Sequence, residues 1–418
     1  MHRWLGWILL LGLGLRCVAA CGLQYQLDHR WHREFLIEGD ASGYWELARS
    51  IANGEPYAIY TPPRKVLRMP GFPALLALSI RLFGDHKLPA RLLLACLCSA
   101  GIYLNFLLGR ELKSERAGLI AAAFTAISPV FVAFTPVLLS ESSFAVALLG
   151  CLYCGVRVVK ELQPAASFSR STWIGWAIGT GVTSALAVYL KPSWILAVPV
   201  FSLALIGLAS HRRQAAVAAL LVVLSMVLTL LPWGLRNHRA TGHFTLTTFW
   251  MGPSLYDGLN PSATGDSNME FFDRDNLLAT MSEYEVDQHY RQAAKDYALS
   301  HPGHSLQLAW AKLIRYWKPW PNAAQFDNWP ARIATSIAFI PLMLLAAVGL
   351  LNERRNLLML LITLGPILYF SALHCIFVSS LRYRLPAEYP LMVLSAAGLL
   401  HWWPDRTQST SVQEVPTA

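Results

Sequence analysis

One acidic residue and one basic residue stand out first. In the polar stretch 35–72, Gly39-Asp40 precedes a short amphipathic run (Tyr44, Leu47, Ala48, Ile51), and Gly54 and an Arg68-Met-Pro-Gly71 turn follow. A carboxylate within about 3 Å of a hydroxyl can take its proton, and a guanidinium nearby can hold an anion such as phosphate through paired N–H donors. Asp40 could instead cap the helix 41–52 that its position announces. What these residues do depends on the elements that carry them.

Those elements are mostly membrane spans. The chain has 418 residues, 55% of them hydrophobic and 14% charged, with 15 tryptophans and a mean hydropathy of +0.40. This composition excludes an ordinary soluble fold and points to an all-α polytopic membrane protein. The net charge of +9 sits in short loops between apolar runs, the pattern of topology signals, so nucleic acid is not an expected partner. The cysteines (Cys17, Cys21, Cys96, Cys98, Cys151, Cys154, Cys375) lie in or beside apolar runs and read as small membrane-core residues. His301-x-x-His304 is broken by Pro302-Gly303, which argues against zinc. No metal or cofactor is expected, a divalent cation at Asp40 and Glu141 being the one alternative.

About ten spans are expected, at roughly 4–25, 88–108, 117–135, 141–159, 172–189, 194–210, 215–232, 331–351, 357–378 and 387–403. The run 70–83 reads as a re-entrant or interfacial helix. The first span reads as a retained anchor rather than a signal peptide, with Arg16 snorkelling to the interface. Alternation assigns Arg110, Lys113, Arg116, Arg157, Lys160, Arg170, Arg212, Arg213, Arg354 and Arg355 to inside loops, against Lys191, Arg382 and Arg384 outside. That bias places both ends in the cytoplasm. The expected organisation is an N-terminal membrane domain 1–232 with a catalytic first external loop (26–87), an external lobe 233–330, C-terminal spans 331–403 and a disordered cytoplasmic tail 404–418.

In the lobe, Ser282-Glu-Tyr-Glu285 fits a capping box opening a helix to about Leu299. A second helix, about 304–317, offers an apolar face of Leu306, Ala309, Leu313 and Trp317 to the membrane surface. Under this topology Asp40, Arg68, Glu141, Lys191, Arg236, Arg382 and Arg384 all fall on the outer side. Outer positive charge runs against the topology bias, and an anionic ligand at the outer leaflet accounts for it. Snorkelling to lipid headgroups is the alternative for each cation.

Gly39-Asp40-x-x-x-Tyr44-Trp45-x-x-Ala48, Asn53-Gly54, Arg68-x-Pro70-Gly71-x-Pro73, Gly109-Arg110, Ser128-Pro129, Ser140-Glu141, Leu231-Pro232-Trp233-x-x-Arg236-Asn237, Gly242 and Arg382-Tyr383-Arg384 together resemble the GT-C glycosyltransferases. The closest group is the bacterial relatives of protein O-mannosyltransferases and of the lipid A aminoarabinose transferase. The resemblance covers most of residues 35–395. It implies a GT-C type bundle of membrane helices with external interfacial helices and a sugar donor on a polyprenyl phosphate. It also implies a catalytic acid at the start of the first external loop, which matches Asp40, and a phosphate-binding cation before the proline turn, which matches Arg68.

On that resemblance, Asp40 is the general base for an acceptor hydroxyl attacking the anomeric carbon. Phosphate is a good leaving group, so one carboxylate and a set of cations suffice. Arg68, Arg236, Arg382, Arg384 and Lys191 are the candidates to neutralise it. Glu141 is the second catalytic candidate, or a residue that merely favours its helix dipole. Tyr44, Tyr57 and Tyr60 could line the substrate groove or anchor the interface. The expected function is an inverting transfer to a protein, lipid or glycan acceptor on the periplasmic face of a bacterial inner membrane, amid membrane lipids. A transporter or flippase for a phosphate-bearing lipid is the rival, and it requires polar residues through the bilayer depth.

Overall fold

The computed structural model describes residues 2–163, 170–321 and 328–403; the tail expected at 404–418 lies outside them. Among the described residues there is no β-strand, and helices account for the architecture. Helix α1 (His2–Gln26) leads into α2 (Asp40–Asn53) and α3 (Gly71–Phe83), which pack on each other outside the long helices. Then come α4 (Lys87–Leu112), α5 (Glu115–Ile127), α6 (Pro129–Phe134), α7 (Ser140–Glu161), α8 (Arg170–Leu190), α9 (Ala197–Leu208) and α10 (Arg212–Thr241). The lobe holds α11 (Met251–Gly258), α12 (Glu270–Asp275), α13 (Glu283–Ser300) and α14 (Pro302–Trp317), and α15 (Trp329–Asn352), α16 (Leu357–Ile376) and α17 (Leu381–Trp402) close the chain.

Among the described residues, seven helices are long and apolar enough to cross a membrane: α1, α4, α7, α8, α10, α15 and α16. The three other expected spans depart from plain crossings, each for a local reason. The third is broken at Ser128-Pro129 into α5 and α6, because Pro129 has no N–H to give the carbonyl of Thr125. The sixth begins with a 3₁₀ turn at Pro192–Trp194 and continues as a helix of 12 residues, Ala197–Leu208. The tenth starts early, at Leu381 after the extended Ser380, so Arg382 and Arg384 belong to a helix and not to a loop.

The broken α5 also corrects the reading of Arg16. Rather than snorkelling to the interface, Arg16 is fully buried. It donates to Thr125 O at 2.9 Å, Ala126 O at 3.1 Å and Gly12 O at 3.0 Å. The carbonyl that Pro129 cannot serve is thus satisfied by a guanidinium from α1, because a bare carbonyl in a bundle interior is costly.

In the lobe, Ser282 and Glu285 form the expected capping box, and α13 runs to Ser300. The lipid-side stripe of α14 is different from the one expected: Leu306, Trp310 and Ile314 are exposed, while Leu308, Lys312 and Tyr316 face inward. Trp317 turns toward α16 and donates to Ser371 Oγ at 3.0 Å.

Helices α15 and α17 touch backbone to backbone. A methyl group added at Gly398 would lie 2.0 Å from Leu345 O, and one at Gly349 would lie 2.2 Å from Leu394 O. Gly398→Val should therefore force the pair apart and cost about 1–3 kcal/mol, read as a lower melting temperature of the detergent-solubilised protein; an unchanged melt would mean that the crossing is not tight. Just inside the end of the bundle where α7 and α17 begin, Trp194 stacks on Phe370 at 5.8 Å and meets Phe144 edge-on at 6.2 Å.

Candidate functional site

Five charged side chains from five separate segments meet at that end of the bundle. Asp40 opens α2, with Gly39 in the N-cap position at φ 73°. Its carboxylate faces away from the helix, accepting from Arg68 Nη2 on Oδ1 at 2.9 Å and from Arg382 Nη2 on Oδ2 at 2.8 Å. Arg382 Nε lies 3.7 Å from Glu141 Oε1, and Lys191 Nζ donates to the same oxygen at 3.2 Å. The chain of contacts therefore runs Arg68, Asp40, Arg382, Glu141, Lys191, with three cations on two carboxylates.

Each member is positioned by its element. Arg68 follows the extended loop from Tyr57, and Tyr57 fixes that loop by donating its hydroxyl to Arg68 O at 3.1 Å and Met69 O at 3.3 Å. Glu141 sits in the first turn of α7, where the helix dipole favours a carboxylate. Lys191 comes where α8 ends before Pro192, and Arg382 lies in the first turn of α17. Aromatic rings floor the cluster: the Arg68 guanidinium lies 4.5 Å above the Tyr44 ring, and Lys191 Nζ lies 4.6 Å above the Tyr383 ring.

Burial alone would raise the pKa of Asp40, but Arg382 and Arg68 outweigh it and hold the carboxyl well below the usual carboxylate range. For Lys191 burial lowers the ammonium pKa, with Glu141 opposing. In this state Asp40 is firmly ionised, with both oxygens engaged.

Other sequence candidates have different surroundings. Arg236 donates to Lys65 O at 2.6 Å and Tyr57 O at 2.7 Å, bracing the loop between α2 and α3 rather than joining the cluster. Arg384 is buried and turned to the opposite side of α17. It donates to Glu388 Oε1 at 2.5 Å, Tyr316 O at 2.6 Å and Lys318 O at 2.8 Å. Tyr60 is 47% exposed, with the Arg64 guanidinium 4.9 Å above its ring. Among the described residues, no three His, Cys, Asp or Glu side chains converge as a metal site.

Two residues given no role from the sequence matter here. Tyr383 accepts from Arg382 Nη2 at 2.9 Å, with its ring held parallel to His374 at 4.6 Å and 3°. Its place between two candidate arginines was the available signal. Glu283, from the lobe, accepts from the backbone N–H groups of Lys65 and Val66, and nothing local in the sequence marks that contact.

The sequence model of the dolichyl-phosphate-mannose-protein mannosyltransferase family matches residues 65–233, a stretch that contains Arg68, Glu141 and Lys191 but neither Asp40 nor Arg382. Among solved structures, the oligosaccharyltransferase AglB of Archaeoglobus fulgidus in complex with an inhibitory peptide and a dolichol-phosphate superposes with a TM-score of 0.55 at 15% identity, over 97% of this chain and 52% of that one. The chain shares the fold of that oligosaccharyltransferase. The apo form of the same archaeal enzyme gives a TM-score of 0.59, also at 15% identity, over 96% of this chain and 51% of that one. The chain thus spans about half the length of that oligosaccharyltransferase. ArnT from Cupriavidus metallidurans bound to undecaprenyl phosphate matches at 17% identity and a TM-score of 0.47, over 95% of this chain and 78% of that one. No curated protein matches in sequence.

Proposed function

We propose that this membrane protein is an inverting glycosyltransferase that moves a sugar from a polyprenyl-phosphate carrier to a hydroxyl acceptor on the outer face of a bacterial inner membrane. The observation that carries the reading is the five-residue charge cluster built around Asp40 at one end of the bundle. The acceptor oxygen attacks the anomeric carbon as the carbon–phosphate-oxygen bond breaks. The bonding pair leaves with the phosphate, and the acceptor proton goes to Asp40. Arg68, Arg382 and Lys191 meet the phosphate charge as it grows, while Glu141 holds Lys191 and Arg382 in place.

An apolar cleft supports the placing of the carrier's tail. It is lined by Trp194, Phe201, Val198, Cys151, Val222 and Leu358, and Trp194 is three residues from Lys191. Polar groups deep in the spans support this reading over a flippase. Asn105 donates to Tyr389 O and Thr125 Oγ1, each at 2.7 Å, and Ser395 to Leu342 O at 2.9 Å, so their donors serve neighbouring helices instead of forming a polar route.

The direct test is to purify the chain, identify its bound lipid by mass spectrometry, and supply the matching polyprenyl-phosphate sugar with candidate acceptors in proteoliposomes. Sugar transfer is the expected result. A co-purifying lipid without a phosphate, together with no transfer from any polyprenyl-phosphate donor, would overturn the reading. Tyr383 offers a finer check, because its hydroxyl proton has no hydrogen-bond acceptor among the described residues and a phosphate oxygen would supply one. Tyr383→Phe should keep the ring stack and raise the donor KM by about tenfold or more, the worth of one hydrogen bond to a charged group. An unchanged KM would remove Tyr383 from the donor site.

A further inference from the structure

We propose that Arg68 and Arg382 change partners during the reaction: in the resting site they occupy both oxygens of Asp40, and the arriving donor phosphate draws them off, so Asp40 becomes a base only when donor is bound. This rests on the glycosyl-transfer reading above and adds an order to it, donor before acceptor deprotonation.

The geometry poses the problem and supplies the answer. A carboxylate with a guanidinium N–H on each oxygen, at 2.9 and 2.8 Å, has two of its four lone-pair sites taken by cations, and their charge draws on the two that remain. Its lowered pKa also makes it a weak base, since an efficient one titrates near the working pH. Asp40 becomes a stronger base when one or both arginines leave. Both are equipped to do so. Arg382 has Glu141 at 3.7 Å from Nε and the Tyr383 hydroxyl at 2.9 Å from Nη2, which keep it anchored when it releases Asp40. Arg68 rests on the Tyr44 ring, and its buried Nε has no hydrogen-bond partner among the described residues. That leaves one donor already unmatched.

The charge count agrees. Three cations against Asp40 and Glu141 leave one positive charge, and a lipid-linked phosphodiester brings one negative charge. When the glycosidic bond breaks, the phosphate gains a second negative charge while Asp40 gains the acceptor's proton. The site therefore stays neutral throughout, and both arginines end on the phosphate dianion. In the resting enzyme the carboxylate and the phosphate compete for the same two guanidinium groups.

This competition gives a test unlike that of an ordinary binding residue. Asp40→Asn should lose transfer yet bind polyprenyl phosphate about tenfold more tightly than the wild type, since the two charge-assisted hydrogen bonds to be broken are gone. Binding is measured in nanodiscs with polyprenyl phosphate as the probe. Asp40→Ala gives the same direction should the Asn variant fold poorly. Glu141→Gln is the control for net charge alone and should tighten binding by less than about threefold, because it leaves both Asp40 contacts in place. Tighter binding in the Asp40 variants only supports the exchange. Unchanged or weaker binding in them, or equal tightening in all three, overturns it while leaving the transferase reading intact if the wild type transfers sugar. A wild type that neither binds polyprenyl phosphate nor transfers sugar overturns both.

Discussion

Asp40→Asn is expected to lower the rate of sugar transfer by about 10²- to 10⁴-fold, the range a positioned general base contributes. The amide keeps the shape of the side chain and can still accept a hydrogen bond from one arginine, so the loss falls on proton transfer and not on the fold. The effect should appear in the turnover number measured at saturating donor and acceptor, with the donor KM equal to or below the wild-type value. A variant that keeps more than about a third of the wild-type turnover would exclude Asp40 as the proton acceptor. Loss of turnover with a much higher donor KM would instead make Asp40 a donor-binding residue.

The second large effect is expected at a residue the sequence placed in the donor site. Arg384→Ala should destabilise the protein by about 3–5 kcal/mol, because it strands the buried carboxylate of Glu388 without a partner. Glu388 is 4% exposed, and Arg384 also serves the carbonyls of Tyr316 and Lys318 at the end of α14. The measure is the melting temperature in detergent, alongside the yield of folded protein. Adding Glu388→Gln to Arg384→Met should recover part of the loss, since the stranded charge is removed while the two carbonyls remain unserved. A large loss of donor affinity at an unchanged melting temperature would return Arg384 to the phosphate.

Arg382 and Arg384 show why part of the site was legible in the sequence and part was not. Both stand outside an apolar run, and in a loop both could reach one anion. On a helix, two residues are separated by about 200°, so when α17 starts at Leu381 only one of them can face Asp40. What hid this was the start of the helix, a boundary that the charged first turns and Pro386 obscure. Asp40, Arg68, Glu141 and Lys191 were legible for the opposite reason: each stands at an edge between apolar and polar sequence, where a charge is costly without a purpose. Arg236 shares that signature, but its partners are carbonyls of the loop at Tyr57 and Lys65. A contact across so many residues leaves no mark on local pattern. Arg16 was misread because its partner is a carbonyl exposed by Pro129, and that vacancy exists only once α1 and α5 are packed.

The loop between α2 and α3 is held in an unusual manner. Glu283 receives its peptide N–H groups at Lys65 and Val66, and Arg236 serves its peptide oxygens at Tyr57 and Lys65. Every residue type except proline presents the same peptide group, so these clamps do not depend on the side chains at 65 and 66, whereas the Tyr57 hydroxyl adds a side-chain tie to Arg68 O and Met69 O. The segment can therefore vary on its outer surface while Arg68, at its inner end, keeps its place against Asp40. Grafting the loop into another scaffold would fail unless Glu283 and Arg236 travelled with it.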